Sequence, residues 1–240
     1  MINNHLLALS NLKPVFVGGK VLEQSNASAN YVISLTDLTG GISTSPGAND
    51  IVLISVCTAL TYTTSWGYPA TSGYTTIDAI GANDSVDNAL TFSYKVMTAT
   101  PDTSVTMTGT GSSSRTQVVA IQVWRNIDTT NPIDVLAPSV ATINTVLANP
   151  PSITTITKNS TIIAVGSGGH TISGGISYSS SNLDNFSSVG VSLTINEIVI
   201  GMGSKFIQEI GSFDPAQFSF GSSDSNIYSS CGMTIALKPK

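Results

Sequence analysis

Gln117-Val-Val-Ala-Ile-Gln-Val-Trp-Arg125 is the stretch that decides the fold. In an extended chain Val119, Ile121 and Val123 point to one side and Val118, Ala120, Gln122 and Trp124 to the other, and both sets are largely apolar. A strand with water on one face alternates apolar with polar, whereas one covered on both faces does not. The run is therefore expected at the centre of a sandwich.

Similar short β-branched runs, each closed by Gly, Pro, Asn, Asp or Ser, recur along the chain. They cover 31–36, 50–57, 90–98, 103–108, 153–157, 160–167, 189–200 and 231–238. None carries the 3.6-residue apolar stripe of an amphipathic helix, and Val, Ile and Thr dominate them. The expected class is all-β, an antiparallel β-sandwich that is jelly-roll-like. Two strands show a single apolar face: Leu90, Phe92 and Val96 with Thr91, Ser93 and Lys95 between them, and Met233, Ile235 and Leu237 against Thr234, Ala236 and Lys238. Lys95 reads as a guard against edge-to-edge pairing. The other face of the last strand is expected to meet solvent.

The chain of 240 residues is long enough for one large β domain. The first 18 residues, with Lys13-Pro14, read as an N-terminal arm and 19–240 as a single sandwich. Four of the ten prolines fall within 128–152, whose interior is too apolar for a tether, so this segment reads as a crossover between sheets. Asn49-Asp50-Ile51-Val52-Leu53-Ile54 and Asn159-Ser160-Thr161-Ile162-Ile163-Ala164 open the two halves alike, which suits paired Greek keys.

Charged residues are only 10% of the chain, against about 25% in ordinary domains. Coiled coils and charge-rich disorder are excluded by that scarcity together with the 41% apolar content. A net charge of −5 offers no footprint for phosphates, so nucleic acid is not an expected partner. No run approaches the length of a membrane span. Met1 to Leu9 has no basic region and its apolar run stops after four residues, which argues against a secretion signal. Two cysteines, Cys57 and Cys231, make no disulfide framework and read as buried small hydrophobes.

Chemistry-bearing constellations are sparse. His170, in Gly166-Ser167-Gly168-Gly169-His170, is the one interior histidine; it reads as part of a Gly/Ser turn, and no Gly-x-Ser-x-Gly elbow occurs. Gly201-Met202-Gly203-Ser204-Lys205 lacks phosphate-loop spacing and reads as a strand end turning at glycines. The acids Asp78, Asp84, Asp87, Asp102, Asp128 and Asp134 sit singly and read as turn residues. No catalytic residue and no obligatory cofactor is expected, hence no enzyme. Gly81-Ala-Asn-Asp84-Ser-Val-Asp87-Asn88 crowds several oxygen donors, which makes Asp84 and Asp87 candidate Ca²⁺ ligands. Tyr62, Trp66, Tyr68 and Tyr74 crowd one polar loop, where rings could stack on sugars, anchor a subunit, or pack against the end of the sandwich.

Val118 to Val135, VVAIQVWRNIDTTNPIDV, resembles the "VWRG-D-TNPID" segment of β-sandwich proteins encoded by tailed bacteriophages and prophages. Tyr94 to Thr106 (YKVMTATPDTSVT), Asn149 to Thr154 (NPPSIT) and Ala236 to Pro239 (ALKP) resemble further blocks of that group, so the likeness runs from about Asp50 to the C-terminus. Asn126 stands where glycine is usual. The resemblance implies a non-enzymatic virion protein, assembled in the host cytoplasm, that decorates the capsid or belongs to the tail and fibre apparatus. Its implied partners are other virion proteins and copies of itself in a symmetric oligomer such as a trimer, with a host-surface glycan as the alternative partner. Trp124 is expected in the core, and Arg125 is expected to pair with Asp128 or Asp134.

Overall fold

A computed structural model describes residues 12–60, 66–83, 87–111, 115–145, 147–170, 177–191, 197–220 and 227–240. Among these there is no helix, and the strands form antiparallel sheets packed as a sandwich. One sheet comes from the first half of the chain: β1 (Val15–Gln24), β3 (Ile51–Leu60), β4 (Thr75–Ala82), β5 (Asp87–Val96) and β7 (Gln117–Arg125), with β2 (Tyr31–Ser34) and β6 (Ser104–Met107) paired outside it. The second half supplies β8 (Ile133–Leu136), β9 (Val140–Ile143), β11 (Ser160–His170), β13 (Asp184–Gly190), β14 (Glu197–Ile207) and β17 (Ile227–Leu237). Outside that sheet lie the short pairs β10 (Ile153–Thr154) with β15 (Ser212–Phe213), and β12 (Tyr178–Ser179) with β16 (Ser219–Phe220).

The two sheets share one topology. The first runs β1-β7-β3-β5-β4 and the second β8/β9-β17-β11-β14-β13, so each element has a counterpart at the same place. The correspondence reaches single residues. Ile51 lies between Val96 and Trp124 as Thr161 lies between Phe206 and Leu237. The edge strands bulge at matching points, between Phe16 and Gly18 and after Ile133. Asn49 and Asn159 precede the two central strands with φ of 66° and 59°. Their N–H groups donate to Met97 O (3.0 Å) and Gln208 O (2.9 Å) at the ends of the neighbouring strands. Facing each other, the sheets place β1 over β13 and β4 over β9, the arrangement a two-fold axis between the halves would give.

Both sheets are covered on both faces. Between them Leu53, Leu90, Phe92, Trp124, Ile163, Ile200, Met233 and Ile235 form the central core. Val52, Ile54, Val119, Ile121 and Val123 face outward from the first sheet onto Ile33, Leu35, Leu38, Val105 and Met107. On the second sheet Ala164 and Val199 lie under Tyr178, Leu183 and Phe218, and Ile162 and Ala236 under Ala137 and Ile153. Each fully buried aliphatic or aromatic side chain contributes about 1.5–3 kcal/mol, so the outer layers stabilise the fold as the centre does.

Burial on both faces corrects several expectations. Thr234 and Ala236 are fully buried, so the last strand shows no face to solvent. Thr91 and Ser93 are buried as well, and β5 lies between β3 and β4, which leaves Lys95 no edge to guard. Its ammonium reaches Asp102 at 2.7 Å and the Ser72 carbonyl at 2.9 Å. Val189–Ile200 is the end of β13 and the start of β14, with 192–196 outside the described residues. Gly201–Lys205 is the middle of β14 rather than a turn. A Cβ at Gly203 would stand 2.7 Å from the Phe186 ring, so glycine there makes room for an aromatic cover. Asp78, Asp87 and Asp134 lie in strands, not turns.

At the base of the first sheet, the carboxylate of the fully buried Asp50 accepts from Arg125 Nε (2.8 Å), Arg125 Nη2 (2.9 Å) and the Gly47 N–H (2.7 Å). Arg125 thus pairs with Asp50 and not with Asp128 or Asp134, because the antiparallel ladders bring the start of β3 beside the end of β7. Asp128 accepts from the Thr130 and Asn131 N–H groups, and Asp134 from those of Ile156 and Thr157. Asn126 has φ of 64°, the left-handed conformation that Asn tolerates and that a glycine would supply. Within 128–152, β8 and β9 already belong to the second sheet, each paired with β17. Residues 1–11 lie outside the described residues, and β1 begins at Val15, within the segment read as an arm.

Matching left-handed asparagines make the equivalence of the halves testable. Asn49→Ala and Asn159→Ala should each lower unfolding stability by about 1 kcal/mol and the double variant by the sum, while Gly at either place stays within a few tenths. Denaturant titration reads this, and a loss confined to one of the two sites would refute the shared role.

Candidate functional site

The aromatic loop folds back over the first sheet. Pro69 bridges to Met107, Tyr68 exchanges hydrogen bonds with Thr108, and Thr91 Oγ1 donates to the Gly67 carbonyl at 2.6 Å. Trp66 lies against Gly81, where a Cβ would be 3.7 Å from the indole. Tyr74 packs on the outer core of that sheet with the Lys95 ammonium 5.5 Å from its ring centroid. Burial, with Asp102 nearby, pushes the Tyr74 hydroxyl well above the usual phenol range. Trp66, Tyr68 and Tyr74 are each half-buried, and among the described residues no ring-to-ring contact joins them. Tyr62 lies outside the described residues.

Of the two candidate calcium ligands, Asp84 lies outside the described residues, and Asp87 opens β5 opposite Leu60. Among the described residues no three His, Cys, Asp or Glu side chains converge. No helix among them is long and apolar enough to cross a membrane.

His170 is the last residue of β11, not part of a turn. The run of Gly and Ser reads as a turn because it lacks bulk, but the bulk comes from other segments. A Cβ at Gly166 would meet Ala148 at 2.5 Å and the Phe218 ring at 2.9 Å. The His170 ring meets Phe220 edge-on at 5.5 Å, and its Nδ1 lies 3.1 Å from Glu197 Oε2 on the adjacent strand. Both side chains are sealed, at 0% and 4% exposure. Burial pushes the His170 imidazole down to about 4. The pairing of a histidine with a carboxylate was not legible in the sequence, since 26 residues of intervening chain separate them. Ser167 and Ser229 project from the opposite face, where Ser167 Oγ donates to Asn88 Oδ1 (2.8 Å) and Asn88 Nδ2 to Ser229 Oγ (2.7 Å). Cys57 and Cys231 are free and buried beside this group, and burial pushes the Cys231 thiol up to about 12.

An open site lies at one side of the sandwich, where β1 and β13 face each other. A cleft of about 360 Å³ is walled by Phe16 and Trp124 from the first sheet and by Thr161, Asn185, Ser204 and Phe206 from the second, with Lys13 and Asp184 at its rim. Beyond Phe16 and Asn185 it adjoins a second hollow of about 190 Å³ over Gly19, Lys20, Thr39 and Ser187. A chain of hydrogen bonds fixes the wall. Trp124 Nε1 donates to Gln122 Oε1 (3.1 Å), Gln122 Nε2 to the Asn185 carbonyl (3.0 Å), and Asn185 Nδ2 to Ser204 Oγ (3.0 Å). Phe16 and Trp124 meet at 5.2 Å between centroids, and the Lys13 ammonium sits 4.1 Å from the Phe206 centroid. Sequence reading missed this cleft because its wall is drawn from five strands and from the residues before β1.

The depressed His170 makes stability fall as the medium is acidified. The unfolded chain takes up a proton near pH 6.5 and the folded one only near pH 4, so stability present above 6.5 is lost between those values, on the order of 3 kcal/mol. His170→Gln should flatten that slope in denaturant titrations across the same range, and an unchanged slope would remove His170 from the account. No protein-family profile matches the chain, and no curated protein matches its sequence.

Proposed function

We propose that this chain is a non-enzymatic structural component of a tailed-bacteriophage particle, on the head surface or in the tail and fibre apparatus, acting through subunit contacts. The resemblance of Val118 to Val135 and its companion blocks supplies the phage context. The observation that supports contact-making is the edge formed by β8 and β9. Among the described residues these strands pair with β17 alone, and Leu136, Val140 and Ile143 on them are 42%, 39% and 55% exposed. At the counterpart edge the chain covers itself: Gly19 and Thr39 exchange backbone hydrogen bonds, and the Ser43 N–H donates to Val17 O at 2.9 Å. Gly41 permits that cover, since a Cβ there would stand 2.3 Å from the Val17 carbonyl oxygen. An edge with aliphatic side chains and spare backbone groups is a template for pairing with another chain, and a second copy of this chain would place like edges together in a closed symmetric contact.

Val140→Lys with Ile143→Lys should convert an oligomer to the protomer in light-scattering mass measurement while leaving the thermal midpoint within a few degrees. Imaging of purified particles carrying this protein with a label tests the wider reading. Regular density on head or tail is expected, and absence of the protein from purified particles would end the proposal.

A further inference from the structure

We propose that the cleft between β1 and β13 binds a neutral oligosaccharide, with one sugar ring seated among Phe16, Trp124 and Phe206. This goes beyond a role in particle structure and does not depend on it.

The first support is an orphaned hydroxyl. Thr161 is 1% exposed, it lines the cleft, and its Oγ1 has no hydrogen-bond partner among the described residues. A buried hydroxyl left unmatched costs about 1–3 kcal/mol, which a ligand hydroxyl at that point would offset.

The second support is the broken symmetry of the two halves. The positions equivalent to Thr161, Phe206, Trp124 and Phe16 on the opposite side of the sandwich are Ile51, Val96, Leu237 and Ile133. There Ile51 and Leu237 are buried in the central core with Val96 and Ile133 packed against them, as Trp124 is on this side with Phe16 against it, so Thr161 and Phe206 are the positions that change. The same backbone frame therefore holds a filled aliphatic plug on one side and an open cleft with rings and a hydroxyl on the other. A core that could be closed with Ile, Val and Leu is instead left open at this place.

The chemistry of the wall selects the ligand class. Lys20 pairs with Asp37 at 2.6 Å, while Lys13 lies over the Phe206 ring and keeps its charge. Asp184 faces Lys205 at 3.4 Å. A phosphate or carboxylate ligand would meet one ammonium, that of Lys13, with the Asp184 carboxylate also in the lining, and a purely apolar ligand would leave Thr161 unmatched. A molecule with apolar faces and many neutral hydroxyls, a pyranose, matches the rings and the Thr161 hydroxyl together. About 360 Å³ falls within the usual range of small-ligand pockets, and the adjoining hollow gives room for a second ring.

The protein has two tryptophans, so Trp66→Phe leaves Trp124 as the only indole reporter. That variant is titrated at millimolar concentrations with maltose, lactose, cellobiose and diacetylchitobiose, and with glucuronate and glucose 1-phosphate as charged probes. At least one neutral disaccharide should give a saturable change in emission, and neither charged probe should bind more tightly. Thr161→Val keeps the shape and removes the hydroxyl; it should weaken binding about 3- to 10-fold while the thermal midpoint holds or rises. Amide chemical-shift mapping of the otherwise unaltered protein with the same sugars gives a second readout should Trp66→Phe perturb folding. Saturation with none of the neutral sugars by either method, tighter binding of a charged probe, or equal affinity in Thr161→Val would each overturn the proposal.

Discussion

Covering both sheets on both faces is the constraint from which the rest of this structure follows. A strand enclosed in that way has no solvent to satisfy a charge, so its positions go to aliphatic residues, to small residues, or to hydroxyls and amides that find partners inside. Ser55 Oγ donates to the Thr91 carbonyl, Thr91 Oγ1 to that of Gly67, and Asn88 ties both neighbouring serines of the facing sheet. Low charge and abundant Ser and Thr in the sequence thus describe the interior as much as the surface. The buried Asp50 carboxylate is paired with Arg125, and the buried Glu197 lies beside the neutral His170 ring.

Four layers from one chain are assembled by repeating one unit. Each half lays a last strand beside its central strand, adds a bulged edge next to it, and lays short two-stranded pairs outside, one described in the first half and two in the second. Facing the two units buries one face of each against the other, and the outer pairs bury what remains. The repetition is exact in topology and loose in side chains, because a core asks only for apolar volume at each place. Differences between the halves are therefore informative where they change chemistry and not merely shape. Asp134 at the position of Val17 serves local structure by receiving the Ile156 and Thr157 amides. Thr161 and Phe206, at the positions of Ile51 and Val96, line the cleft instead.

The two sides of the sandwich consequently offer different things. One presents the aliphatic β8–β9 edge, suited to another protein chain. The other presents a ringed, polar cleft of small-molecule size. The proposed subunit contact and the proposed sugar site would use these two sides separately. The sealed His170–Glu197 pair is internal to the second sheet, with the imidazole pKa lowered by burial.

By itself the sequence determined the class of the fold and the burial of Gln117–Arg125 on both faces, since β-branched runs and their turn residues act locally. It also suggested kinship between the segments opening at Asn49 and Asn159, though too few side chains match for letters alone to establish a repeat. Tertiary structure decided what covers each strand, which is why Thr234 is buried and Lys95 is not at an edge. It decided too that Arg125 meets Asp50 and His170 meets Glu197, pairs set by ladder register between distant segments. The cleft belongs to the same category: its rings come from strands far apart in the chain, and only the packing of one sheet on the other brings them around a common space.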